Sequence, residues 1–198
     1  QRTREMTIDE LLLENRVVFL IGEITPGSAA RVTMQMLYLE KESPEEPVHL
    51  YINSVGGSVT SGLAVYDVMR FVRCPVYTYC IGLAASIAAV IMAGGEKGHR
   101  YALPNSEVLI HQPWMSGLGG QATDIEIHTR QLLYYKRRIN EILAEVTGQP
   151  LERIEQDTDR DRFMTAEAAV EYGLLDQIIT RPPSKEDGAS AGEGGAEA

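Results

Sequence analysis

The stretch Pro75-Val76-Tyr77-Thr78-Tyr79-Cys80-Ile81-Gly82-Leu83-Ala84-Ala85-Ser86-Ile87-Ala88-Ala89-Val90-Ile91-Met92-Ala93-Gly94-Gly95 decides the fold. Val76 to Cys80 is β-branched and aromatic, which predicts a strand begun by Pro75. Gly82 predicts a turn. From about Ser86 to Ala93 the side chains are small or aliphatic, which predicts a short buried helix stopped by Gly94 and Gly95. A strand, a tight turn and a helix in succession form the repeating unit of an α/β fold with parallel strands and helical crossovers.

The alternation continues in both directions. Thr7-Ile8-Asp9-Glu10 has capping-box spacing and predicts a short helix through Leu13. Val17 to Ile21 reads as a buried strand. Ser28 is placed to cap a helix to about Glu40, with Val32, Met36 and Leu39 on one face. Lys41 to Pro47 is a polar loop. Val48 to Ile52 is a second strand, Asn53 to Gly57 a turn, and Val59, Leu63, Tyr66, Met69 and Val72 mark one face of the next helix.

Beyond the central stretch, His99 to Leu103 and Glu107 to Ile110 read as short strands joined by Pro104-Asn105-Ser106. A glycine-rich loop, Ser116 to Gly120, leads to the longest element. Thr123 and Glu126 have the spacing of another capping box. Ile125, His128, Leu132, Tyr135, Ile139, Ile142 and Val146 trace one helical face that ends at Gly148. At 1.5 Å per residue this helix is about 36 Å long, more than a small domain needs. Pro150 can start a short helix, Thr165 caps another, and Leu174 to Ile179 is a last strand.

Composition excludes several function classes. A chain of 198 residues suits one domain with its own core, and 44% hydrophobic with 23% charged residues excludes disorder as its main state. Lys and Arg number 18 against 28 Asp and Glu, a net −10 that argues against nucleic-acid and anionic membrane surfaces. Cys74 and Cys80 are too few for a disulfide scaffold and fit a reducing compartment. The longest apolar run, Leu83 to Ala93, is interrupted by Ser86 and falls well short of the roughly 20 residues that span a bilayer. Gln1 to Glu10 lacks the apolar core of a secretory signal. Pro182 to Ala198 has no aliphatic side chain larger than alanine and is expected to be a disordered acidic tail, leaving 1–181 as one domain.

Ser86 is the first candidate for chemistry. It is the only polar residue between Leu83 and Ala93, at a strand–turn–helix junction. Ala84-Ala85-Ser86-Ile87-Ala88 is a relaxed nucleophile elbow, in which small neighbours let the backbone turn sharply and leave Oγ accessible. A helix start also supplies backbone N–H groups for an oxyanion. A packing serine or an N-cap is the plainer alternative.

His111 ends a short apolar strand before Gln112-Pro113, and can serve as the base that a serine nucleophile requires. His49, His99 and His128 are weaker candidates. A third group should orient the base, and Asp157, Asp159 and Asp161 alternate with Thr158, Arg160 and Arg162 before Phe163. Pattern alone does not choose among these acids, and on charge pattern alone a solvated charged loop is the better account of them. Gly56-Gly57 closes a strand–turn–helix unit whose N–H groups can hold an anion. No Walker A, dinucleotide fingerprint, HExxH or CxxC is present, so no metal or nucleotide cofactor is supported.

Together these segments resemble one family, the ClpP proteolytic subunits of the Clp (caseinolytic) proteases. Tyr51-Ile52-Asn53-Ser54 with Gly56-Gly57 resembles the family's Y-I-N-S-P-G-G turn. Gly82 to Ser86 resembles its G-x-A-A-S nucleophile segment, and Leu103 to Ser106 with Ile110 to Pro113 its histidine segment. Gly120 to Ile127 resembles the start of its handle helix, and Asp157 to Phe163 its D-x-(D/E)-R-D-x-x segment. The likeness spans about Leu11 to Thr180. Val55 stands where the family usually has proline, Leu83 and Ile87 where Gln and Met are common, and the loop from Trp114 to Gly120 is one residue longer.

The resemblance implies an α/β fold, a ClpP/crotonase-like spiral of βα units. The head is expected at about 1–121 and 149–181, with a protruding handle helix at about 122–148. It implies Ser86 as nucleophile, His111 as base and Asp161 as orienting acid, with the backbone N–H groups of Gly57 and Ile87 as the oxyanion hole. Gly57, Ser58, Val59 and Thr60 match the segment that pairs with an extended substrate. Tyr51 and Phe71 match the ATPase-docking pocket, and Asp159 and Arg160 match the ring–ring contact. No cofactor is implied. The implied partners are an AAA+ Clp unfoldase, unfolded polypeptides and further copies in two stacked heptamers, a tetradecamer, together in some relatives with a paralogous subunit. Thr3 to Thr7 resembles such divergent paralogues. The alternatives are a structural ring subunit beside an active paralogue, and a crotonase-type acyl-CoA enzyme. The expected compartment is the bacterial cytoplasm, with an organelle stroma or matrix as the alternative.

Overall fold

The computed structural model describes residues 5–115 and 119–182. The expected tail, apart from Pro182, and Ser116 to Leu118 of the glycine-rich loop lie outside the described residues. Helix α1 (Ile8–Glu14) begins at the predicted capping box, with Thr7 Oγ1 accepting from Glu10 N and Glu10 reaching back to Thr7 N. Strand β1 (Val17–Ile24) leads into α2 (Pro26–Glu42). The cap of α2 is Thr25 rather than Ser28. Pro26 takes the first helical position, where its fixed φ and missing N–H cost nothing, and Ser28 becomes the reciprocal partner of Thr25.

Strand β2 (Val48–Gly57) runs through the expected turn, α3 (Val59–Phe71) follows, and β3 (Val76–Ala85) continues past Gly82 to the edge of Ser86. The β2–β3 register shifts between Ile52 and Ser54, so Gly82, at φ +94°, is a bulge and not a turn. There β3 changes partner. Thr78 to Cys80 pair with β4 (Arg100–Ala102), and Leu83 to Ala85 pair with β5 (Glu107–Ile110). Ser106 Oγ bridges the change, donating to Cys80 O and accepting from Gly82 N.

Helix α4 (Ile87–Ala93) is buried along its whole length, and α5 (Ala122–Thr147), α6 (Leu151–Asp157), β6 (Arg162–Thr165), α7 (Ala166–Tyr172) and β7 (Gln177–Ile178) complete the chain. The sheet runs β1-β2-β3-β4-β7 in parallel, with β5 on β3 and β6 antiparallel to β5. The fold is the expected α/β type, with one antiparallel strand that the sequence reading omitted.

One sheet face packs on helices through Leu20, Leu50, Ile52, Met36 and Ile91, all fully buried. Each such side chain contributes about 1.5–3 kcal/mol. The other face carries an in-register row, Phe19 on β1, Tyr51 on β2, Tyr79 on β3 and Tyr101 on β4, with stacked rings. Val17 to Ile21 is therefore half-exposed, not buried: Phe19 and Ile21 point to that outer face.

Helix α5 is about 39 Å long at 1.5 Å per residue, from its 26 residues. It starts at Ala122 without a side-chain cap, one residue before the expected Thr123 box. Only Ile139, Asn140, Ile142 and Leu143 are buried; Ile125 and His128 on the predicted apolar face are exposed. The amino-terminal half therefore stands clear of its own domain.

Two buried arginines tie the loops to the core. Arg16, at φ +61°, donates to the carbonyls of Leu39, Ser43, Glu46 and Pro47, closing the carboxyl end of α2. Arg100 pairs with Asp176 at 2.7 Å and also donates to Ala93 O and Val146 O. Burial alone raises the Asp176 carboxyl, but hydrogen bonds and charge from Arg100 outweigh it and hold the group below the ordinary value. A depressed folded-state pKa gives stability present above the unfolded value and lost as pH falls through the folded one. Asp176→Asn is expected to cost about 3–5 kcal/mol at pH 7 by leaving Arg100 uncompensated. The deficit should shrink in strong acid, where wild-type Asp176 is protonated too. Denaturant titrations of both proteins at neutral and acid pH measure this.

Candidate active site

The junction of β3 and α4 is a strained turn. Ser86 lies between them at φ +60°, ψ −128°, a backbone region that L-residues rarely adopt and that costs about 1–3 kcal/mol. Its N–H donates to Leu109 O of β5 at 2.9 Å, and its carbonyl accepts from Ala89 N at 3.0 Å. Its side chain makes no cap hydrogen bond, so the N-cap alternative does not describe how the hydroxyl is used. The small residues around Ser86 are required by space. A Cβ on Gly56 would lie 2.7 Å from both Ala85 O and Ser86 Cβ, and 3.3 Å from Ser86 Oγ. Gly57, at φ +148°, presses on the backbone of Ile24, and Gly62 of α3 leaves room for the buried Ile87 side chain. The carboxyl end of β2 thus lies against the serine, and Ser54 Oγ accepts from Gly56 N to shape it.

His111 follows β5 directly. β5 and β6 pair antiparallel with Glu107 opposite Thr165 and Ile110 opposite Arg162. One further step in that register sets His111 opposite Asp161, and their Nδ1 and Oδ1 atoms are 3.2 Å apart. Gln112 extends the contact: its N–H donates to Thr158 O and its Nε2 to Asp159 O. Thr158 is buried, with Oγ1 donating to Asn140 Oδ1 of α5 and to Ile154 O. The His111 side chain is 16% exposed and that of Asp161 63%.

Ser86 and His111 line one pocket, completed by Val59, Ile87, Val90, Ile110, Pro113, Ile139 and Leu143. Every other wall is apolar. No hydrogen bond joins the Ser86 and His111 side chains among the described residues. The arrangement is an accessible hydroxyl on a strained turn, an imidazole beside it and a carboxylate behind the imidazole. A set of this kind is suited to acyl transfer. The thiols are not competitors: burial raises Cys74, and burial pushes Cys80 up to about 11, so both stay protonated near neutrality. No group of three or more His, Cys, Asp or Glu placed to hold a metal occurs among the described residues.

The structure distinguishes the three acids that the sequence left equivalent. Asp157 is engaged by Arg162 and Tyr172, Asp159 lies on the surface, and Asp161 faces His111. What sequence reasoning missed is β6 itself. Its signal was the alternation Arg162-Phe163-Met164-Thr165, hidden behind the charged run. Of the expected substrate-pairing segment, Gly57 and Ser58 are extended, whereas Val59 and Thr60 already belong to the first turn of α3.

Tyr51 stacks between Phe19 and Tyr79 on the outer face, and Phe71 is exposed at the end of α3, with no ring contact joining Tyr51 to Phe71 among the described residues. Asp159 and Arg160 are exposed and contact each other. His49 and His99 each meet a tyrosine hydroxyl, of Tyr79 and Tyr101, and burial holds His49 below its ordinary value. His128 is exposed on α5.

Comparison with known families gives a match to the family model described as Clp protease over residues 1–182.

The close approach of Gly56 to Ser86 has a measurable consequence. Gly56→Ala adds a clashing Cβ at φ +88°, and should destabilise the protein by about 2–4 kcal/mol from left-handed strain plus overpacking. Thermal melts test this, and an unchanged Tm would contradict the packing described.

Proposed function

The chain belongs to the Clp protease family, a serine peptidase at the level of class, and we propose that Ser86, His111 and Asp161 carry out its reaction. His111 Nδ1 faces Asp161, which leaves Nε2 for the serine. As Ser86 Oγ attacks a peptide carbonyl, His111 takes its proton and later gives it to the leaving amine. Water then repeats the sequence on the acyl-enzyme. The backbone N–H groups of Gly57 and Ile87 receive the developing oxyanion. Gly57 offers its main-chain groups to the substrate main chain, since the Ser58 N–H already donates to Ile24 O and its carbonyl accepts from Gly62 N. One observation carries this reading: the β5–β6 register that brings Asp161 to His111 at the wall of the pocket holding Ser86.

Membership implies association with Clp ATPases and assembly into rings. The further proposal is two stacked heptamers enclosing the serines, with unfolded polypeptides as substrates. Ile125, Ile127, Leu133 and Tyr134 are exposed along α5, and apolar exposure on this scale calls for burial against another copy. Asp159 and Arg160 are offered to the same ring–ring contact, and Tyr51 and Phe71 to the unfoldase. A complete serine, histidine and aspartate set speaks against the structural-subunit alternative. No helix among the described residues is long and apolar enough to cross a membrane; a bacterial cytoplasmic setting is part of the proposal.

Ser86→Ala should abolish cleavage of a fluorogenic peptide by the assembled protein while leaving assembly intact. Full activity in that variant would refute the assignment.

A further inference from the structure

The segment that carries Asp161 is short and exposed, so its direction must be set from its ends. It leaves α6 at Asp157 and enters β6 at Arg162. Those two side chains are joined: Asp157 Oδ1 accepts from Arg162 Nη1 at 2.7 Å. Asp157 Oδ2 accepts from the Tyr172 hydroxyl of α7 at 2.8 Å and lies 3.4 Å from Arg153 Nε. The Tyr172 ring has the guanidinium carbons of Arg162 and Arg153 at 5.3 and 5.4 Å from its centre. Tyr172 is buried, and the Asp157 side chain is only 16% exposed. Burial, with Asp157 as hydrogen-bond partner, raises the Tyr172 hydroxyl. The acceptor side of this clasp, Asp157 and Tyr172, is largely shielded from water, whereas the Arg162 and Arg153 side chains are 40% and 53% exposed.

The clasp has a directional effect. Successive side chains of extended backbone point to opposite sides. Arg162 is held toward α6 and α7, so its predecessor Asp161 is turned the other way, toward His111. The backbone of Arg162 pairs with Ile110, the residue before His111, so both sides of the pair are referenced to the same rung.

We propose that Asp157, acting through Arg162 and supported by Tyr172, is a positioning residue that aims Asp161 at His111. The proposal rests on the assignment of Asp161 given above. It differs from a merely structural role in one respect: removing the clasp matters to the reaction only while Asp161 is present to be aimed.

The test is the assembled full chain with a small fluorogenic peptide, comparing wild type, Asp157→Asn, Asp161→Ala and the double variant. Asp157→Asn should lower kcat about 10- to 100-fold through misplacement of the orienting group, with KM changed less than twofold. On the Asp161→Ala background the same substitution should cause no further loss, because both act on one step. Asp157→Glu should restore part of kcat. If Asp157→Asn fails to assemble, Tyr172→Phe, which removes only the hydroxyl, should lower kcat several-fold with the same dependence on Asp161. The proposal is overturned if these variants keep wild-type kcat while Asp161→Ala loses it, or if the losses multiply in the double variant. Wild-type kcat in Asp161→Ala overturns the triad assignment and this proposal with it.

Discussion

The backbone of Ser86 is the constraint on which the rest depends. A serine at φ +60° does not stay there unaided; it is held by the hydrogen bond to Leu109, by the start of α4 and by the absence of a side chain at Gly56. Each support comes from a different element: β5, α4 and β2. The turn therefore exists only when the three are assembled, and the assembled turn points one hydroxyl into an apolar pocket. Strain at such a point is characteristic of sites where geometry serves chemistry.

The change of partner along β3 is what makes room for this. Its first half belongs to the main sheet, through β4, and its second half belongs to a smaller unit, through β5 and then β6. The bulge at Gly82, bridged by Ser106, divides the two. Because β6 runs against β5, the residue after one strand faces the residue before the other. The proposed base and its proposed orienting acid are thus matched by strand register, although 50 positions separate His111 from Asp161.

Much of this was legible in the sequence. The unit around Ser86 announced itself through one polar residue in a run of small apolar ones, and Thr7 and Thr165 named their helices as caps. Ser86 could be singled out as the one polar residue at a strand–turn–helix junction, and His111 because it closes an apolar strand. Asp161 could not be chosen by pattern, since the choice depends on a cross-strand register that no local signal encodes. The resemblance to a known family proposed Asp161, and the structure sets its carboxylate 3.2 Å from His111 Nδ1. One failure has a related origin. Val17 to Ile21 looked buried because an aromatic row on the outer face is as apolar as a core face. The length of α5 already exceeded what a small domain needs, and its amino-terminal half is exposed.

The central claim is that this chain carries an activated serine at the β3–α4 turn. Its most direct test is reaction of the purified, assembled protein with a fluorophosphonate, with the modified residue mapped by mass spectrometry. The account predicts a single adduct, on Ser86, that is lost in His111→Ala. An unmodified Ser86, or an adduct that persists without His111, would contradict it.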